Sequence, residues 1–149
     1  MAAGRGITIL QILLATLFSD YQRGINCTNS HGHQLHKCVG SFRETLERAV
    51  LKRPAKEVID YTCCAYYDLL DCVSKTLTPC ESVGSKALML GFLEQVFGET
   101  LNLVCDQHTK GSKACQVLPQ LPELRPKDRR IENVIELVLE TSSTLGHKN

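Results

Sequence analysis

The sequence predicts an all-α fold, a disulfide-stapled bundle of about four helices. Apolar residues recur at spacings of three and four along most of the chain, which gives each helix one dry face. No stretch of useful length alternates apolar and polar residues as a half-buried strand does. Eight cysteines, an even number that allows complete pairing, fall between Cys27 and Cys115. The 149 residues are 43% hydrophobic and 22% charged, which suits one globular domain and argues against disorder.

The elements follow in order. Met1 to Gly6 carries one charge, Arg5, ahead of the mostly apolar run Ile7 to Phe18. Polar Ser19, Asp20, Gln22 and Arg23 end the run. That layout predicts a signal peptide over 1–24, cut between Ser19 and Gly24, because the run is shorter than the roughly 20 residues that span a bilayer. No later run has membrane length, so the mature chain is expected to be soluble, secreted and extracellular. A disulfide-stapled three-helix core is expected over 25–117, a proline-rich connector over 118–127, and an amphipathic helix with a tail over 128–149.

In the core, Leu35, Val39, Phe42, Leu46, Ala49 and Val50 form the dry face of a first helix that Pro54 stops. Ile59, Thr62, Cys63, Tyr66, Leu69, Leu70, Val73 and Leu77 do the same for a second. Ser82 or Ser85 can cap a third, with Leu88, Phe92, Leu93, Val96, Phe97, Leu101, Val104 and Cys105 on its dry face. Gly91 and Gly98, seven residues apart, would share one side of it and permit close packing. Three of the five prolines, Pro119, Pro122 and Pro126, mark the connector. Asp128 is the expected N-cap of a last helix with Ile131, Val134, Ile135, Val138 and Leu145.

If helices one and two fold back about Pro54, Cys38 with Cys72 and Cys27 with Cys80 straddle the same turn. Cys63 and Cys64 then reach the third helix region, and the expected pairs are Cys63–Cys115 and Cys64–Cys105. Neighbouring helical residues point about 100° apart, so these two serve different partners. Asn26-Cys27-Thr28 is a glycosylation sequon, with Asn26 the acceptor.

Charge is balanced overall, 17 basic against 16 acidic residues, so no net field draws the chain to nucleic acid. By segment it is sorted: 37–56 and 110–130 are basic, 57–106 is acidic. Complementary helix faces explain that sorting, with a basic docking patch as the alternative. Arg129-Arg130 also reads as a dibasic processing site.

Chemistry is sparse. Cys63-Cys64-Ala65-Tyr66-Tyr67-Asp68 resembles the C-C-x-x-H-D string of secreted phospholipases of the A2 type, whose histidine activates water and whose aspartate helps bind calcium. Here Tyr67 holds the histidine position and cannot act as that base near neutral pH. The spacing to Cys72 differs too, and the glycine-rich calcium loop is missing. His31, His33 and His36 are weak metal candidates, since neutral imidazole suits copper or zinc, but no carboxylate or thiolate lies close by in sequence. No G-x-S-x-G, H-E-x-x-H, phosphate loop or cofactor motif occurs. No catalytic residue and no cofactor are expected.

The arrangement C-C-x7-C-x7-C from Cys63 to Cys80, followed by Gly91, Phe92, Phe97 and Cys105, resembles small secreted arthropod proteins of the haemolymph-glycoprotein sort. The likeness covers roughly Cys38 to Cys115. It implies a secreted, helical, disulfide-bonded, non-enzymatic protein. The cysteine spacing fits neither insect odorant-binding proteins nor saposins. The expected function is an extracellular binding or carrier module whose partner is another protein or an apolar small ligand. A secreted effector of the venom or antimicrobial type is the alternative, and a degenerate phospholipase-like protein a remote one.

Overall fold

A computed structural model describes residues 2–147 and holds only helices, turns and irregular chain among them, with no strand. Met1, Lys148 and Asn149, parts of the expected leader and tail, lie outside the described residues, as do the side chains of Arg5, Ile7 and Val134. The helices are α1 (Ala2–Ser30), α2 (Gly32–Lys52), α3 (Ala55–Thr76), α4 (Ser85–Leu93), α5 (Glu99–Val104), α6 (Lys113–Gln116) and α7 (Val134–Ser143). The expected count of about four therefore becomes seven α-helices among the described residues. Three changes account for the difference: the N-terminal run is itself helical, a single π-helical turn over Glu94–Gly98 splits the expected third helix into α4 and α5, and a short helix, α6, forms around Cys115.

The centre of the molecule is the α2–α3 hairpin. Arg53 is extended because it precedes Pro54, which breaks α2 and positions the start of α3. Cys38, Leu46 and Ala49 of α2 and Val58, Ala65, Leu69 and Val73 of α3 are buried along the seam, while Ile59 and Tyr66 of α3 face Leu101 and Cys105. A 3-10 turn, Thr78–Val83, reverses the chain at Gly84, whose φ of +81° is a left-handed conformation that a Cβ would strain. Met89, Leu90 and Leu93 of α4 then pack against Leu69, Val73 and Leu77.

The π turn corrects the expected facing of α4. Five residues in a wider turn rotate less than five in an α-helix, so α4 and α5 bury different phases of the sequence. Leu93, Leu101 and Cys105 point inward, whereas Leu88, Phe92 and Val96 are 73%, 57% and 48% exposed. Gly98 does permit a close approach, since a Cβ there would lie 3.2 Å from Tyr66 Oη. Gly91 faces open space.

Four disulfides bind these elements, and no cysteine is free. Cys27–Cys80 ties α1 to the 3-10 turn, and Cys38–Cys72 spans the hairpin. Cys63 bonds Cys105 and Cys64 bonds Cys115, the reverse of the expected exchange. The reason lies on α3. Cys63 shares the buried face with Ile59 and Tyr66 and meets buried Cys105 at the end of α5. Cys64, a helical step round, is half-buried and meets Cys115 on α6.

The last helix starts later than expected. Asn133, not Asp128, is its N-cap, accepting hydrogen bonds from the amides of Ile135 and Glu136. Asp128 instead closes the preceding turn, accepting from the Arg125 amide at 2.5 Å. Ile131 thus lies outside the helix, fully buried beside Leu46, Ala65 and Leu137. The buried side of α7 is Leu137 and Thr141, continued by Thr144, while Ile135, Val138 and Leu139 are exposed.

Candidate functional site: a groove and an apolar face

Two adjoining depressions flank the connector. The larger, about 440 Å³, lies between α2 and the chain at Glu123–Leu124, with Arg43, Glu47, Arg48 and Arg130 on its walls. The smaller, about 280 Å³, continues past Arg48 to Thr45 and Asp68, with the Cys64–Cys115 bridge and Leu118 opposite. The arginines on the larger wall are engaged within the chain. Arg43 pairs with Glu47 at 3.4 Å and donates to the Ile131 carbonyl, while Arg48 pairs with Glu44. Arg130 donates to the Arg125 carbonyl at 3.3 Å. Most of these pairs lie within the basic segments themselves: Arg43–Glu47 and Arg48–Glu44 run along α2, and Lys52 meets Asp128 of the other basic segment. Arg53 with Glu57 joins a basic to an acidic segment.

Asp68 differs from these carboxylates. Partial burial, and then the like charge of Asp71, push its carboxyl above the usual range. Asp71 is held below that range by its hydrogen bond to Lys75. Tyr67, in the position of the phospholipase histidine, stands edge-on to Tyr66 with ring centroids 5.5 Å apart. Burial raises the Tyr66 phenol, whose hydroxyl lies 3.4 Å from the Leu93 carbonyl. Cys63 to Tyr67 of that string thus serve the α3 core and its bridges, whereas Asp68 is exposed on the wall of the smaller depression.

The three expected histidine ligands do not converge. His31 turns inward, its Nδ1 lying 2.9 Å from the Cys27 carbonyl and 3.7 Å from Cys80 Sγ. His33 and His36 sit exposed on α2. Among the described residues, one group brings three ligand atoms together, Cys27, His31 and Cys80, and both its sulfurs are spent in a disulfide. A second unforeseen pair is His108 with Asp60. Buried His108 brings Nδ1 to 3.3 Å from Asp60 Oδ1, outside hydrogen-bond alignment. No sequence spacing announces it, because 48 residues separate the two.

The space beneath the last helix is filled by the chain itself, through Ile131 and Leu137. Upstream, Tyr61 donates to the Pro119 carbonyl at 2.5 Å, and Leu118 and Leu121 cover Ala49 and Val58. Open apolar surface remains on α7, through Ile135, Val138 and Leu139, and on α4. Leu88, Phe92 and Val96, each four residues on from the last, form a row on the outside of α4 and its π turn.

At the N-terminus, Ile9 to Tyr21 leave their large apolar side chains in solvent. Contact with the core begins at Gly24, whose carbonyl accepts from Ser85 Oγ at 2.9 Å. Asn26 is exposed, beside the bridged Cys27. No helix among the described residues is long and apolar enough to cross a membrane. No protein-family model, curated protein or solved structure matches the chain.

Proposed function

We propose that this protein is a secreted, non-enzymatic extracellular binding module whose contact surface is the apolar row Leu88, Phe92 and Val96. The row itself carries the reading. Three large apolar side chains aligned on one helix are a feature of interaction surfaces rather than of inert ones. The helix they stand on is held by the Cys27–Cys80 and Cys63–Cys105 bridges on either side in sequence, so the surface is rigid before it meets a partner. Four bridges suit an oxidising compartment. The residues ahead of Gly24 read as a leader that leaves the chain by a cut between Ser19 and Gly24, since the Gly24 carbonyl is already bonded to the core. The resemblance of the cysteine arrangement to haemolymph-type proteins points the same way.

Two measurements test the proposal. Expressed in a eukaryotic secretory host, the protein should reach the medium with an N-terminus after a residue between Ser19 and Gly24. Phe92→Asp should then leave the far-ultraviolet dichroism and melting temperature unchanged but cut the fluorescence of bound anilinonaphthalene sulfonate several-fold. Retention in the cell refutes secretion, and undiminished probe binding refutes the surface.

A further inference from the structure

We propose that the chain carries a proteolytic processing site after Arg130, at which a dibasic-specific endoprotease removes residues 131–149. The proposal goes beyond the binding role, and relies on secretion only for where such a protease is met. The sequence contains two dibasic pairs, Lys52-Arg53 and Arg129-Arg130. Lys52-Arg53 ends α2 and is followed by Pro54, whose ring and missing N–H disfavour hydrolysis of the Arg53–Pro54 bond. Its side chains are also engaged, by Asp128 and Glu57. Arg129-Arg130 is exposed, lies in irregular chain between the turn at Asp128 and α7, and is followed by Ile131. Lys127 adds a third basic side chain upstream on the same exposed segment.

What lies beyond the pair makes the cut consequential. The last bridge is at Cys115, so nothing covalent would hold residues 131–149 once the chain is severed. Hydrolysis breaks the Arg130–Ile131 amide; water supplies hydroxide to the Arg130 carbonyl carbon and a proton to the Ile131 nitrogen. The freed segment contains a helix of ten residues, too short to persist alone in water. Its loss uncovers Leu46 and Ala65, now sealed by Ile131 and Leu137.

The folded chain also restrains this site. Ile131 is fully buried, Arg43 donates to its carbonyl, and Arg129 is paired with both Glu136 and Glu140. A protease needs several residues extended across the bond, so the segment from Arg129 onward must lift first. The cut rate then follows the population of the lifted state. Loosening the α7 contact should speed it.

The experiment uses the full chain with its bridges intact, a calcium-dependent dibasic-specific endoprotease and intact-mass detection. We expect one cut, loss of 131–149, and a rise in anilinonaphthalene sulfonate fluorescence. Arg130→Gln should block the cut. Leu137→Ala should accelerate it about tenfold or more, as expected for a truncated core leucine. The reduced, unfolded chain serves as a control for recognition of the sequence. Cutting after Arg53, resistance of the native chain while the unfolded one is cleaved, resistance of both, or no acceleration by Leu137→Ala each overturns the proposal. None of these readouts depends on the Leu88–Phe92–Val96 surface.

Discussion

Lys52 Nζ lies 2.9 Å from Asp128 Oδ2, tying the end of the first hairpin helix to the turn that launches the C-terminal segment. The Lys52 hydrogen bond, followed by that from the Arg125 amide, holds the Asp128 carboxyl below the ordinary carboxylate range. A depressed acid contributes its stability above the unfolded-state pKa and loses it as pH falls through the folded value. The turn should therefore be unchanged from neutrality to about pH 5 and loosen only below about pH 4. Amide exchange of residues 125–131, measured against pH, should show this step, and Asp128→Asn should abolish it. A step centred near pH 6 would contradict the assignment.

All eight cysteines are oxidised in the folded protein, so unreduced material should contain no alkylatable thiol. The two bridges on neighbouring residues of α3 should differ in cost. Removing Cys63–Cys105, whose sulfurs are buried, by paired serine substitution should destabilise by about 2–5 kcal/mol. Removing Cys64–Cys115 the same way should fall at the lower end of that range, because Cys64 and Cys115 are only half-buried. Thermal unfolding of the two variants distinguishes them, and the opposite order would refute the burial argument.

Truncation after Lys127 should lower the melting temperature and increase hydrophobic-dye binding, since it exposes Leu46 and Ala65. Unchanged stability would mean that the last helix is not docked in solution.

Asn133→Ala removes a cap that accepts two amide hydrogen bonds. It should cost about 0.5–2 kcal/mol, confined to α7, while Asn133→Asp should be neutral or better at a helix N-terminus. Amide protection within 134–143, compared with that in α3, provides the measurement.

Much of this architecture is legible in the chain itself. The three-four spacing from Leu35 to Val50 and from Ile59 to Leu77 delivers the hairpin, because Pro54 permits no other break. The order of the last two disulfides was legible too: Cys63 belongs to the buried set of α3 and Cys105 to that of α5, so two inward sulfurs meet. The Asn133-Val134-Ile135-Glu136 pattern, a polar cap with an acid three residues on, marks the true start of α7. Less accessible was the facing of α4. A π turn leaves no signature in apolar spacing, and without it Leu88, Phe92 and Val96 look like core. The burial of Ile131 was hidden for a related reason, since a residue outside a helix has no phase to read.

The bridge pattern also fixes how the molecule would respond to being pulled. Tension applied between Cys27 and Cys115 cannot straighten the chain between them. The covalent path runs from Cys27 across to Cys80, back along the backbone to Cys64, and across to Cys115. Sixteen residues separate Cys64 from Cys80, so the fully stretched path, its two bridges included, is about 65 Å, against about 300 Å for the same interval without bridges. Residues 116–149 have no such shortcut and would extend first and farthest. The protein is thus mechanically two materials, a nearly inextensible block and a compliant strap, with the boundary at Cys115.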